Sequence, residues 1–68
     1  MGPSSLTTAQ LSVLHFLPTN LSIAEIGQRL FVSRNTAKSH IAAIYMKLGI
    51  SSRGAAVEAA RKAGLLPQ

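Results

Sequence analysis

A chain of 68 residues holds one domain at most, near the small end of what folds alone. Hydrophobic residues make up 47% of it but aromatic residues only 4%, so the core must be aliphatic, and seven Lys and Arg against two Asp and Glu leave a net charge of +5. The absence of cysteine excludes disulfides and thiolate metal centres, two histidines and two acids make no convincing zinc site, and the longest apolar run, IAAIYM (41–46), falls well short of the roughly 18 residues that span a bilayer.

The first five residues, MGPSS, carry no periodicity and read as a linker or an expression remnant, leaving 6–66 as the folded domain. Thr7 and Gln10 have capping-box spacing, which predicts a first helix over 8–17. Its Leu11, Val13, Leu14, Phe16 and Leu17 cover a wide arc, as in a helix buried on most sides. Pro18, Thr19 and Asn20 end it. Ser22 with Glu25 is a second capping box, opening a helix over 22–30 whose apolar stripe is Ile23, Ile26 and Leu30. Gly27 joins that face. Glycine weakens a helix by roughly 1 kcal/mol relative to alanine, so close approach of a neighbouring helix is expected there.

FVS (31–33) is a short turn, after which Ser33 caps a third helix over 33–48 that stops at Gly49. Ala37, Ile41, Ile44 and Leu48 form its core stripe. A fourth helix over 52–63 starts at Ser51 or Ser52 and ends before Gly64. Its small-residue stripe, Ala56, Ala59, Ala60 and Ala63, is expected to cover the core, leaving Val57, Glu58 and Arg61 nearer the outside. The fold class is therefore all-α with four helices.

The third helix has an unusual outward face. Asn35, Lys38, Ser39, Ala42, Ala43 and Met46 include no acid, and none lies anywhere between Glu25 and Glu58, while Arg29, Arg34, Lys38, Lys47 and Arg53 span that region. Two short helices joined by a short turn form a helix-turn-helix unit, whose second helix lies in the major groove of DNA. An acidic face would be repelled by phosphates, and bulky side chains would hold the helix off the base edges. Small residues let the helix approach, Asn35, Lys38 and Ser39 supply hydrogen bonds, and the helix N-terminus offers free N–H groups to a phosphate. The rival reading of the same pattern is a helical protein-interaction module. No nucleophile, acid and base converge on a nameable catalytic set, so an enzyme is not expected, and neither is a cofactor.

The segments LTTAQLSVLHFL and LSIAEIGQRLFVSRNTAKSHIAAIYMKLGISSRGAAVEAARKAGLL resemble the LuxR/FixJ-type (GerE-like) helix-turn-helix domain. The resemblance covers 6–66, through "LS..EI...L..S..T.K.H", "KLG" and "SR..AV" in order and at the family's spacing. LPTNLS and FVSRNTAKSH look most like the C-terminal domains of large multidomain ATPase-type members. The resemblance implies a four-helix domain that binds double-stranded promoter DNA as the output domain of a transcription regulator, and with neither a signal peptide nor a bilayer-spanning run in sight a cytoplasmic location is expected. The resemblance also implies pairing on DNA through the fourth helix, at Val57, Glu58 and Arg61, with RNA polymerase as a further partner. The family's DNA-contacting positions fall on Ser33, Arg34, Asn35, Thr36, Lys38, Ser39 and Ala42, with Lys47 and Arg53 as candidate phosphate contacts. Arg53 could equally brace the fourth helix. His40 matches the family's "K.H" histidine and is expected to be structural, on the flank of the core stripe, from where it can hydrogen-bond the unit; His15 is expected at the surface or partly in the core.

The chain also departs from the family pattern. Gln10 stands where Glu is usual, Ala9 where Arg is common, Ala24 where a basic phosphate contact is common, and Ala37 replaces the usual Val. Ala42 and Ala43 stand where long polar residues are typical. These changes leave the fold expectation intact and thin the polar contacts to DNA, which is what a degenerate interaction module would also display.

Overall fold

The computed structural model describes residues 6–67. It comprises α1 (Thr8–Phe16), α2 (Ile23–Leu30), α3 (Arg34–Leu48) and α4 (Arg53–Lys62), with no strand among the described residues. The expected all-α, four-helix architecture is present. The helix ends sit a residue inside the expected limits because Leu17, Ser22, Ser33, Ser52 and Ala63 act as caps. The expected linker at 1–5 lies outside the described residues.

Both capping boxes form. The Thr7 hydroxyl accepts the Gln10 N–H and the Gln10 Oε1 accepts the Thr7 N–H, each at 3.1 Å. Ser22 and Glu25 repeat this at 3.1 and 2.8 Å. Each box satisfies two N–H groups that a helix start otherwise leaves open, and a cap of this kind stabilises by about 1 kcal/mol. The Ser22 N–H, then its hydroxyl, and beyond them the Arg29 charge hold the Glu25 carboxyl below its ordinary pKa of 4.5.

α3 is the central element, packing on α1, α2 and α4. Leu6, Val13, Leu14, Leu17, Ile26, Ile41, Ile44, Ala56, Val57, Ala60 and Leu66 form one aliphatic core, with Phe16, Leu21, Ile23, Leu30 and Leu48 among the half-buried residues against it. Ala37, Ile41 and Ile44 are buried and Leu48 half-buried, as the spacing along α3 predicted.

Two local features differ from expectation. Gly27 is buried, but what approaches it is the turn itself and not a neighbouring helix. A Cβ there would stand 2.9 Å from the Val32 carbonyl oxygen and 3.2 Å from that of Ser33. The Val32 N–H in turn donates to the Gly27 carbonyl at 2.9 Å, so the turn folds back on the α2 backbone. The reversal is made at Phe31, in the left-handed region at φ 59° and ψ 38°, with its side chain 95% exposed. A non-glycine residue in that region is disfavoured by roughly 1–2 kcal/mol.

The second difference is the rotation of α4. Val57 is buried, in the core with Ala56 and Ala60, while Ala63 is exposed and Ala59 only half-buried. The expected stripe of four alanines was thus turned too far from Val57. Burying an isopropyl group removes more apolar area from water than burying a methyl, so the helix seats its one large aliphatic residue in the core. Of the three residues expected outside, only Glu58 is exposed and Arg61 half-exposed; they face each other at 3.8 Å.

Candidate nucleic-acid interface

The interface is built on α3 by helical periodicity. Asn35, Ser39, Ala42 and Met46 recur at spacings of four, three and four, as do Ala37, Ile41, Ile44 and Leu48, two residues out of step. At 3.6 residues per turn an offset of two lies about 200° round the helix. The two stripes are therefore opposite, and burial agrees. Asn35, Lys38, Ser39, Ala42 and Met46 are exposed, with Met46 at 82%, while Ala37 and Ile44 are fully buried. Ala43 falls on the flank and is half-buried, so it is not part of the open face as the sequence suggested.

The N-terminal end of the face is basic and pre-formed. Arg29, at the end of α2, and Arg34, at the first position of α3, are both exposed. The Ser33 hydroxyl accepts the Thr36 N–H at 3.0 Å and donates to the Thr36 Oγ1 at 3.0 Å. That single cap leaves the Arg34 and Asn35 N–H groups outside the helical ladder, at the positive end of the α3 dipole. Thr36, as acceptor from Ser33, keeps its own hydroxyl hydrogen to donate. Ser33, Arg34, Asn35, Thr36, Lys38, Ser39 and Ala42 are thus brought together at one end and along one side of α3, all of them exposed.

Lys47 and Arg53 are engaged elsewhere. The Lys47 Nζ donates to the Gln10 Oε1 at 2.8 Å, tying the C-terminal end of α3 to the start of α1. The Arg53 guanidinium donates to three carbonyls beyond and within the end of α1: Nε to Leu17 at 2.9 Å, and one terminal nitrogen to Phe16 at 3.2 Å and Thr19 at 2.9 Å. Of the two roles open to Arg53, the structure displays the brace. His40 is half-buried, as expected for the flank of the core stripe, but its ring makes no hydrogen bond among the described residues. His15 is exposed, the surface position of the two expected for it.

Sequence reasoning missed the second duty of Gln10. It is 8% exposed, and its one side-chain oxygen serves both the Thr7 N–H and the Lys47 ammonium. The capping-box spacing showed the local bond; nothing in the sequence marked the partner 37 positions away.

Comparison with known proteins agrees with this geometry. The pattern defining "Bacterial regulatory proteins, luxR family" matches residues 4–60. A Mycobacterium bovis protein described as an HTH-type transcriptional regulator is 38% identical over 63 residues, covering 93% of this chain and 7% of its own length. The nitrate/nitrite response regulator protein homolog of Haemophilus influenzae is 42% identical over 52 residues, covering 76% of this chain and 25% of its own. Among solved structures, the response regulator ChrA of a heme-sensing two-component system superposes with a TM-score of 0.86 at 37% identity, over 91% of this chain and 31% of that one. This chain thus spans less than a third of each of these relatives. With the four helices, the α2–turn–α3 unit and the matched pattern in agreement, the chain belongs to the luxR family of bacterial regulatory proteins.

Proposed function

We propose that this chain binds double-stranded promoter DNA sequence-specifically, with α3 in the major groove, as the output domain of a longer transcription regulator. The observation that carries the reading is the open face of α3: exposed, acid-free, opposite the core, and flanked at its N-terminal end by Arg29, Arg34 and Lys38. Arg34, Asn35, Thr36 and Ser33 hold the phosphates that flank the groove, Lys38 reaches a guanine edge or phosphate, and Ser39 and Ala42 meet the bases. Lys47 and Arg53 support this surface by fixing α3 and α4 against α1, and are left out of the phosphate set.

A salt titration tests the reading. Neutralising about three phosphates per chain gives log K falling with log salt at a slope of about −2.7. Anisotropy of a labelled duplex, measured from low to physiological salt, reads that slope. A flat response sinks the proposal. The rival reading, a helical protein-interaction module, has the exposed Phe31 and Met46 in its favour and predicts that flat response.

Pairing belongs to the same proposal. α4 offers a partner copy Glu58 and Arg61 but not Val57, which the core already holds. So polar and small a face supports association on DNA and not in free solution; a tight dimer in ultracentrifugation without DNA would contradict this. Contact with RNA polymerase follows from a position on promoter DNA and is assigned to no residue.

A further inference from the structure

The stripe that faces away from the core has two chemically different halves. Asn35, Lys38 and Ser39 end in hydrogen-bonding groups. Beyond them Ala42 ends in a methyl and Met46 in a thioether, and both are exposed, Met46 at 82%. A large apolar side chain so exposed gains nothing from this chain's own core, and Phe31 is the only other such residue among the described ones.

In the major groove one base carries an apolar group, the 5-methyl of thymine. A methyl on Ala42 can pack against it at close range. A recognition helix enters the groove by its N-terminal residues, so its distance from the bases grows toward the C-terminus. An unbranched, adaptable side chain at position 46 can cross the wider gap and still present an apolar end. We propose that Ala42 and Met46 read thymine methyl groups, so that this chain selects a site whose outer base pairs are recognised by methyl contact and not by hydrogen bonding. The inference rests on the DNA-binding reading and names the chemistry of the target. The occupant is DNA and not an apolar protein surface because the stripe is continuous with the acid-free, basic end bearing Arg34 and Lys38, which complements phosphate.

Duplexes with a randomised centre, selected on the 68-residue chain at low salt, supply the probe. Thymine is expected to be enriched at two positions beyond those set by Lys38. Replacing each by deoxyuridine keeps the base pair and removes only the methyl, and is expected to weaken binding about four-fold, as for one buried methyl-sized group. Met46→Gln is expected to abolish that penalty at the outer position and Ala42→Gly at the inner one, with folding checked by circular dichroism. Equal affinity for thymine and deoxyuridine at every position overturns the inference and leaves DNA binding standing. A penalty that persists in both variants reflects DNA shape and overturns it too. Failure to enrich any duplex overturns both readings together.

Discussion

Replacing Arg53 by alanine should separate bracing from DNA contact. Its guanidinium donates to the Leu17, Phe16 and Thr19 carbonyls at 2.9, 3.2 and 2.9 Å. These acceptors are not equally exposed to the loss. The Phe16 oxygen keeps the Thr19 N–H at 3.1 Å and the Thr19 hydroxyl. Thr19 is exposed, so water replaces the guanidinium there. Leu17 is 2% exposed, and its carbonyl loses its partner where water reaches poorly. Roughly 2 kcal/mol for the Leu17 carbonyl and about 0.5 for Thr19 give a destabilisation near 2.5 kcal/mol. In a domain of this size that lowers Tm by roughly 10–20 °C. Arg53→Lys, with one ammonium to share among the carbonyls, should lose about half as much. Thermal melts followed by circular dichroism read both shifts. DNA affinity, measured well below the lowered Tm, should change little. A Tm within about 3 °C of the parent chain, together with a large loss of DNA affinity, would refute the brace and restore Arg53 to the phosphate contacts.

Three further outcomes are expected. Ala42→Arg should tighten binding to an unselected duplex by about 1–3 kcal/mol through one added phosphate or guanine contact, without loss of helicity because residue 42 is exposed, and should lose any preference for thymine at the inner position, whereas Ala37→Arg places a charge in the core and should unfold the domain; gel shift and circular dichroism read the pair. Gly27→Ala should destabilise by roughly 1–3 kcal/mol, since its Cβ would meet two backbone carbonyls that cannot step aside, and an unchanged denaturation midpoint would disprove that contact. The Glu25 carboxyl is held below 4.5 in the folded chain, so its contribution is present above the ordinary carboxylate range and is lost as pH falls through the lowered folded value; an acid titration should show Glu25→Gln losing less stability than the parent between neutral and strongly acidic pH.

What the sequence revealed and what it concealed divide along the range of the interactions. Both capping boxes, the Ser33 cap, the left-handed Gly49 and the α3 core stripe are set within four residues of chain, and each was legible from spacing. The partners of Lys47 and Arg53 lie 37 and 36 positions away, and no local pattern encodes them. The rotation of α4 failed for a related reason. A run of alanines gives a weak apolar stripe, so one valine buried in the core decided the face. The reversal at Phe31 was hidden because phenylalanine is a poor indicator of a positive φ. Of the candidate interface, the residues of the open face were read from periodicity, while the distinction between cations that face outward and cations tied to other helices needed the fold.

Those ties have a consequence for the dynamics of recognition. The N-terminal end of α3 is fixed to α2 through the backbone contact at Gly27 and the Val32 bond to it, and the C-terminal end to α1 through Lys47 and Gln10. A helix anchored at both ends by different neighbours can neither slide along its axis nor turn about it without breaking one anchor. α3 is thus preorganised for the proposed role: little ordering entropy would be lost on docking in a duplex, and bound and free α3 should superpose. Because one anchor is backbone and the other lies outside the open stripe, side chains on that stripe can be exchanged without loosening the helix that carries them. Under the proposed DNA-binding role, target preference would therefore drift through the exposed residues 35, 38, 39, 42 and 46 while the scaffold stays unchanged.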